Sequence, residues 1–405
     1  MDSDGAYHPR SPHPWCKTCI VHEAETRLTE QFTRAVRDAS APSQMRLAVN
    51  QYTPKRPPAS DLPITLILHA GVGSSKESFE PFLDHLLAAG CPIRSAWIPD
   101  AAWHGASYAL NAPLLGDDIA WDDAPRDLLH MINTFQAQMP PPLVGIGHSW
   151  GGYVVTHAAL AHPRLFSALV LGEPWTVGSR GDLQPARSRY MARMRDAWPS
   201  REAARADFAR NPYYAAFPPD VFERVVRHEV VDVDADDATN AAVRLATPKA
   251  LQAGMMLRLD KHHNHPRSGW WETLARDEPR VIMGRLPELR PPVLYVSGTA
   301  SDLAQSARAN ALREHTTGIG EGGSGGAAVG KVESVWVEGA NHAMFQHKPR
   351  QVAELAWRFV RPHVEAWKDE VDRARERRFW VDEVNPEWLA RIAEMQKKEA
   401  KTSKM

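Results

Sequence analysis

Five residues, Gly147-His148-Ser149-Trp150-Gly151, carry the plainest chemistry in this chain. They stand between a short apolar run, 143–146, and a small-residue stretch, 152–161, that reads as a helix stopped by Pro163. A serine with glycine two residues to either side, between a strand and a helix, forms a nucleophile elbow. Larger side chains at 147 and 151 would collide across so tight a turn. The bend holds the hydroxyl at the carboxyl end of the strand, at the foot of a helix whose N-terminus favours developing negative charge. The implied chemistry is acyl transfer at an ester or thioester carbonyl.

Such a serine needs a base, an acid to orient the base, and donors for the oxyanion. Along the chain the order is serine, acid, histidine. Of 18 histidines, His342 is placed by position: it follows the last strand, 332–337, in Glu338-Gly339-Ala340-Asn341-His342. His347 lies five residues on and reads as solvent-facing. His148 should point away beneath the elbow. His262, His263 and His265 form a cluster that reads as a polar loop, since a metal site would need further partners. Two carboxylates follow strands at the ligand-facing edge of such a sheet, Glu173 and Asp302, and the residues alone leave the acid open between them. The oxyanion donors are the Trp150 amide and one amide of the loop His69-Ala70-Gly71-Val72-Gly73, with Val72 first and Gly71 next.

The elements that must position these residues alternate. Strands are expected at 62–69, 93–98, 143–146, 167–171, 293–296 and 332–337, and helices at 78–89, 127–135, 152–161 and 351–364. That alternation predicts an α/β class with a mostly parallel sheet and helices on both faces. Residues 1–19 read as a disordered segment, 20–177 and 287–367 as the two parts of the core, 178–286 as a helical lid without strands, and 368–405 as a charged helical tail. The glycine-rich stretch 318–330 reads as a flexible loop.

Composition narrows the function. The net charge of −1 from 48 Lys+Arg and 49 Asp+Glu argues against nucleic acid as a partner. No apolar run reaches the roughly 18–20 residues of a transmembrane helix. Three cysteines in 405 residues give no disulfide framework. Cys16-Lys17-Thr18-Cys19 with His22 lacks a second ligand pair at zinc spacing and reads as two thiols at the start of a strand. No metal and no cofactor is expected. The final residues, Ser403-Lys404-Met405, approximate the Ser-Lys-Leu peroxisomal address, which implies an import receptor as partner. An epoxide hydrolase or dehalogenase would need an aspartate at position 149.

The stretches MRLAVNQYTPK (45–55), IRSAWIPDAAWHGASYALN (93–111), RDLLHMINTF (126–135), VGIGHSWGGY (144–153) and HPRLFSALVLGEP (162–174) resemble the α/β-hydrolase superfamily. Within it they resemble a fungal peroxisomal acyl-CoA hydrolase group that serves the mycophenolic acid and AK-toxin pathways. The resemblance covers most of 20–365. It implies an α/β-hydrolase fold and favours Glu173, in its acid-proline pair with Pro174, over Asp302. It also implies a serine hydrolase acting on an acyl-CoA or ester of secondary metabolism, in the peroxisome. A peroxisomal lipase or carboxylesterase is the enzymatic alternative, and a non-catalytic binding protein on the same fold is the other. The lid arginines (Arg187, Arg189, Arg193, Arg195, Arg201, Arg205) suit the phosphates of CoA, though such a run more often makes a solvated helix face.

Overall fold

The computed structural model describes residues 14–24, 36–37, 44–176, 185–233, 242–257, 276–301, 307–376 and 384–402. The main sheet is built from β1 (Trp15–Glu23), β2 (Arg46–Pro54), β3 (Ile64–His69), β4 (Ile93–Pro99), β5 (Leu143–His148), β6 (Ala168–Gly172), β10 (Val293–Gly298) and β11 (Val332–Val337). Its eight strands run in the order β1-β2-β4-β3-β5-β6-β10-β11. The first two pairings are antiparallel, and every pairing from β4 to β11 is parallel.

The central strands β3, β5, β6 and β10 are buried at every position. A strand covered on both faces needs apolar residues throughout, which is why these runs read continuously rather than alternating. Helices Glu80–Ala88, Asp123–Thr134, Trp150–Ala161 and Pro349–Glu376 accompany the sheet. Trp97, Trp103, Trp121, Trp150, Tyr153 and Leu171 belong to one continuous apolar cluster beside the elbow.

Three expectations are corrected. Strand β1 begins at Trp15, inside the segment read as disordered to residue 19. Trp15 is buried, its indole N–H donates to Asp84 Oδ1 at 2.7 Å, and all nine residues pair with β2. Residues 1–13 lie outside the described residues. Between 178 and 286 the helices Arg201–Arg210, Pro219–Glu229 and Lys249–Met256 are joined by a small antiparallel sheet, β7 (Ala197–Trp198), β8 (Val230–Asp232) and β9 (Val243–Leu245), in the order β7-β9-β8. Strands of two and three residues leave no period-2 pattern in a sequence. The stretch 318–330 is tied in place by backbone bonds from Gly318 N–H to Leu286 C=O (2.9 Å) and Gly325 N–H to Gly318 C=O (2.8 Å), with a 3-10 turn at Ala327–Val329.

The described chain divides into two compact units, Met1–His363 and Val364–Met405. The second contains helix Pro386–Thr402. Trp388, Leu389, Ile392 and Met395 lie exposed along one side of that helix, the spacing of an amphipathic face. Ser403, Lys404 and Met405 lie outside the described residues. No helix among the described residues is long and apolar enough to cross a membrane.

Candidate active site

Strand β5 ends at His148, and helix Trp150–Ala161 begins one residue beyond Ser149. The serine between them has φ 54° and ψ −120°, a region that L-residues rarely adopt. The turn is held from both sides. Ser149 N–H donates to Gly172 C=O at 2.8 Å, and Trp175 N–H donates to Ser149 C=O at 2.8 Å. Glycine is required by space. A Cβ at 147 would stand 2.6 Å from Gly151 C=O, and one at 151 only 2.1 Å from His69 C=O.

The acid comes from the neighbouring strand. His148 and Gly172 are register partners across β5 and β6, so Ser149 and Glu173 leave adjacent strand ends together. Glu173 is 5% exposed, and its φ of 38° is again positive. Its Oε1 accepts from Gly298 N–H at 2.9 Å, and its Oε2 accepts from Ser301 Oγ at 2.7 Å and from His342 Nδ1 at 2.6 Å. A carboxylate with both oxygens engaged has one orientation, and it confers one on the imidazole. With Nδ1 committed to Glu173, Nε2 is the nitrogen left to accept a proton. No hydrogen bond joins Ser149 Oγ to His342 among the described residues. Such contacts are commonly long in unliganded sites and tighten around substrate.

His342 is placed by a loop after β11. Asn341 Oδ1 accepts from Ala343 N–H at 3.0 Å. Asn341 Nδ2 donates to Tyr213 C=O of the insertion at 3.2 Å. His347 Nδ1 accepts from Asn341 N–H at 3.1 Å, so this ring supports the loop, where the sequence reading had it facing solvent. Burial lowers its pKa. His148 is also more than a neighbour of the serine. Its Nε2 donates to His342 C=O at 2.8 Å, and the two rings lie 4.7 Å apart. Neither supporting histidine had a spacing signal to reveal it. Arg313, 2% exposed, donates to Pro174 C=O and Thr176 C=O at 3.2 Å each, and fixes the strand exit beyond Glu173.

Trp150 is the first residue of its helix, so its N–H has no intrahelical acceptor. The loop from His69 passes close to the serine at Gly71, where a Cβ would be 3.1 Å from Ser149 Cβ. Val72 follows and lines a cavity of about 490 Å³. Tyr190, Met194, Tyr213, Tyr214, Phe217 and Val225 form much of the cavity's wall. His69 and His104 pack on the Trp150 ring at 5.2 and 5.4 Å. Burial drives the His69 pKa down to about 4. Burial, and then repulsion from His69, drives His104 to about 3. Both are neutral at physiological pH.

None of the remaining sequence candidates is brought to this cluster among the described residues. Asp302, His262, His263 and His265 lie outside the described residues. Cys16 and Cys19 are exposed on β1, and no group of three or more metal-ligating side chains occurs among the described residues. Among the lid arginines, Arg201 is bound to Val230 C=O and Asp232 and Arg205 to Glu223, so both serve the insertion's own packing.

A family model described as the alpha/beta hydrolase family matches residues 66–355. The type I acyl-CoA thioesterase mpaH' of Penicillium brevicompactum is 34% identical over 384 residues, covering 84% of this chain and 85% of that protein. The type I acyl-CoA thioesterase mpaH of Penicillium roqueforti is 34% identical over 381 residues, with the same coverage of 84% and 85%. Among solved structures, the peroxisomal alpha-beta-hydrolase Lpx1 of Saccharomyces cerevisiae superposes with a TM-score of 0.67 at 16% identity, covering 97% of this chain and 99% of that one. At that identity the likeness is one of fold.

Proposed function

This chain belongs to the alpha/beta hydrolase family, and from that premise we propose that it is an acyl-CoA thioesterase of fungal secondary metabolism working through Ser149, His342 and Glu173. The observation that carries the catalytic part is the 2.6 Å bond between His342 Nδ1 and a fully engaged Glu173 carboxylate, beside a strained serine at a strand end. The thioester part is supported by the relatives that share a third of their residues with it over most of both chains.

In this reading Ser149 Oγ attacks the thioester carbonyl while His342 Nε2 takes its proton. Glu173 fixes the imidazole tautomer and stabilises the imidazolium. The Trp150 amide and an amide of the 71–72 segment receive the oxyanion. His342 returns the proton to the departing CoA sulfur, and water then cleaves the acyl-enzyme by the same route. The chain's own residues supply every group this sequence uses.

The reading extends to location. A peroxisomal setting is supported by the peroxisomal designation of Lpx1 and by Ser403-Lys404-Met405 as an address for an import receptor.

The deciding experiment is a panel of acyl-CoA thioesters and oxygen esters, read by thiol release and by pH-stat, with Ser149→Ala as control. Thioester turnover that disappears in the variant supports the proposal. Turnover of oxygen esters alone would move the protein to the carboxylesterase alternative, and turnover surviving Ser149→Ala would remove the nucleophile.

A further inference from the structure

The insertion grips the oxyanion segment just beyond Val72. Ser74 N–H donates to Gly71 C=O at 3.3 Å, closing a turn with Val72 and Gly73 at its centre. Gly73, at the third position of that turn, has φ 78°, where glycine is favoured. Space excludes a side chain there as well: a Cβ at 73 would stand 2.4 Å from Oε1 of Gln252, in the insertion's helix Lys249–Met256. The first residue past the turn, Ser75, donates its N–H to Glu229 Oε1 at 3.1 Å. Glu229 ends helix Pro219–Glu229 and is buried. Its own backbone is pinned where that helix meets the small sheet: Glu229 C=O accepts from Ala246 N–H at 2.9 Å, and β8 begins at the next residue. The carboxyl therefore stands on a fixed root. Ser75 is held at its other end too. Its C=O accepts from Ser78 Oγ at 2.7 Å, and Ser78 Oγ accepts from Gln346 Nε2 at 3.0 Å, in the short helix Met344–His347 that follows His342.

Burying a carboxyl is costly, and this one spends its burial on the backbone of the segment that presents the oxyanion donors. We propose that Glu229 is a positioning residue for those donors: through its bond to Ser75 N–H, the insertion sets where the 71–72 amides stand relative to Ser149. This rests on the serine-hydrolase reading of Ser149 and of the 71–72 segment. Preorganised donors act only within a few tenths of an ångström of their place, so a turn freed at one end loses rate before it loses fold. The same helix supplies a contrast. Arg224 pairs with Glu80, the first residue of helix Glu80–Ala88, whose carboxylate is also held by Lys17 and Tyr52. Arg224 docks the helix beyond the turn, whereas Glu229 docks it on the turn's own exit. Burial raises the Glu229 carboxyl to about 8, so at neutral pH it is an uncharged acceptor and glutamine is its near isostere.

The test measures kcat and KM on the best thioester of the panel, and the rate at which diisopropyl fluorophosphate labels Ser149. Glu229 also lines the cavity, so the small probe separates positioning from substrate binding. Glu229→Met should lower kcat and the labelling rate together, by about 10–100-fold, with KM within about threefold. Glu229→Gln keeps an acceptor for Ser75 N–H and should hold both rates within about threefold of wild type. Arg224→Met should melt earlier yet keep both rates within about twofold. Should Glu229→Met fail to fold, Glu229→Asp, one methylene too short to reach the amide, carries the same expectation. Wild-type rates in Glu229→Met, a rise in KM alone, equal losses in Arg224→Met, or a Glu229→Gln as slow as Glu229→Met would each overturn the inference. If the wild type is labelled but cleaves no thioester, the thioesterase reading falls and the labelling rates alone decide the role of Glu229. A wild type neither labelled nor active removes both.

Discussion

Ser149 and Glu173 are the two non-glycine residues, among those described, whose backbone has positive φ, 54° and 38°. They occupy the first position beyond β5 and β6, neighbouring parallel strands paired through His148 and Gly172. Two adjacent strand exits therefore carry strained backbone, each costing on the order of 1–3 kcal/mol. Strain of this kind persists where surrounding bonds over-determine it. Here those bonds run from Ser149 N–H to Gly172 C=O and from Glu173 N–H to Val296 C=O, at 2.8 and 2.9 Å. The two side chains with proposed roles in attack and in orienting the base are thus aimed by the sheet itself.

Glu173→Gln should keep the fold and lower kcat by about 10²–10⁴-fold with little change in KM. The amide can still accept from Gly298 N–H, but it cannot stabilise an imidazolium at His342. Ser301→Ala removes one hydroxyl bond to Glu173 Oε2 and should cost less than about tenfold. Steady-state kinetics on the best thioester of the panel would show it, and equal losses in the two variants would take the acid role from Glu173.

Much of this site is legible in the sequence because the relevant segments are short, apolar and buried on both faces. β11 matches the expected 332–337, and the elbow follows from two glycines whose Cβ positions are filled by backbone. The acid is not legible from the residues alone, for a physical reason. β6 and β10 are neighbours in the sheet, so their exits open at adjacent points of the same edge, and strand order is not written in local pattern. The supporting rings of His148 and His347 act through single bonds to the backbone of the His342 loop, and no spacing announces such bonds. The small sheet β7-β9-β8 escapes notice because its strands are shorter than one full alternation.

Gly71→Ala tests the oxyanion loop without replacing any triad residue. The new methyl would meet Ser149 Cβ and His148 Nδ1 at 3.1 Å each, tight enough to push the 71–72 backbone outward. A donor displaced by a few tenths of an ångström from a developing oxyanion should lower kcat by about 10–100-fold. Labelling of Ser149 by a fluorophosphonate should slow while circular dichroism stays unchanged. Full activity in this variant would assign the second donor elsewhere.

Removing Ser403, Lys404 and Met405 should leave thioester turnover unchanged and shift a fluorescent fusion in fungal cells from punctate peroxisomes to the cytosol. An address of this kind is read by a receptor and plays no part in the chemistry of the protein that carries it. An unchanged punctate pattern would remove the address, and lost turnover would show that the tail has a second role.

Histidines buried in the neutral form make the region behind Trp150 acid-labile. His104 titrates near 3 when folded and near 6.5 when unfolded. Between those values the unfolded chain holds the extra proton, so stability is full above about pH 6.5 and falls as pH drops toward 3. At pH 5 the deficit from this one ring is about 2 kcal/mol. His69, depressed to about 4, adds a second contribution of the same sign. His104→Phe fills the space beside Trp103 and Trp150 with a ring that does not titrate. Urea unfolding between pH 7.5 and 4.5 should therefore show a shallower loss of stability in the variant than in the wild type. Parallel curves would mean that His104 already carries its proton in the fold, and that some acceptor must reach its buried Nε2.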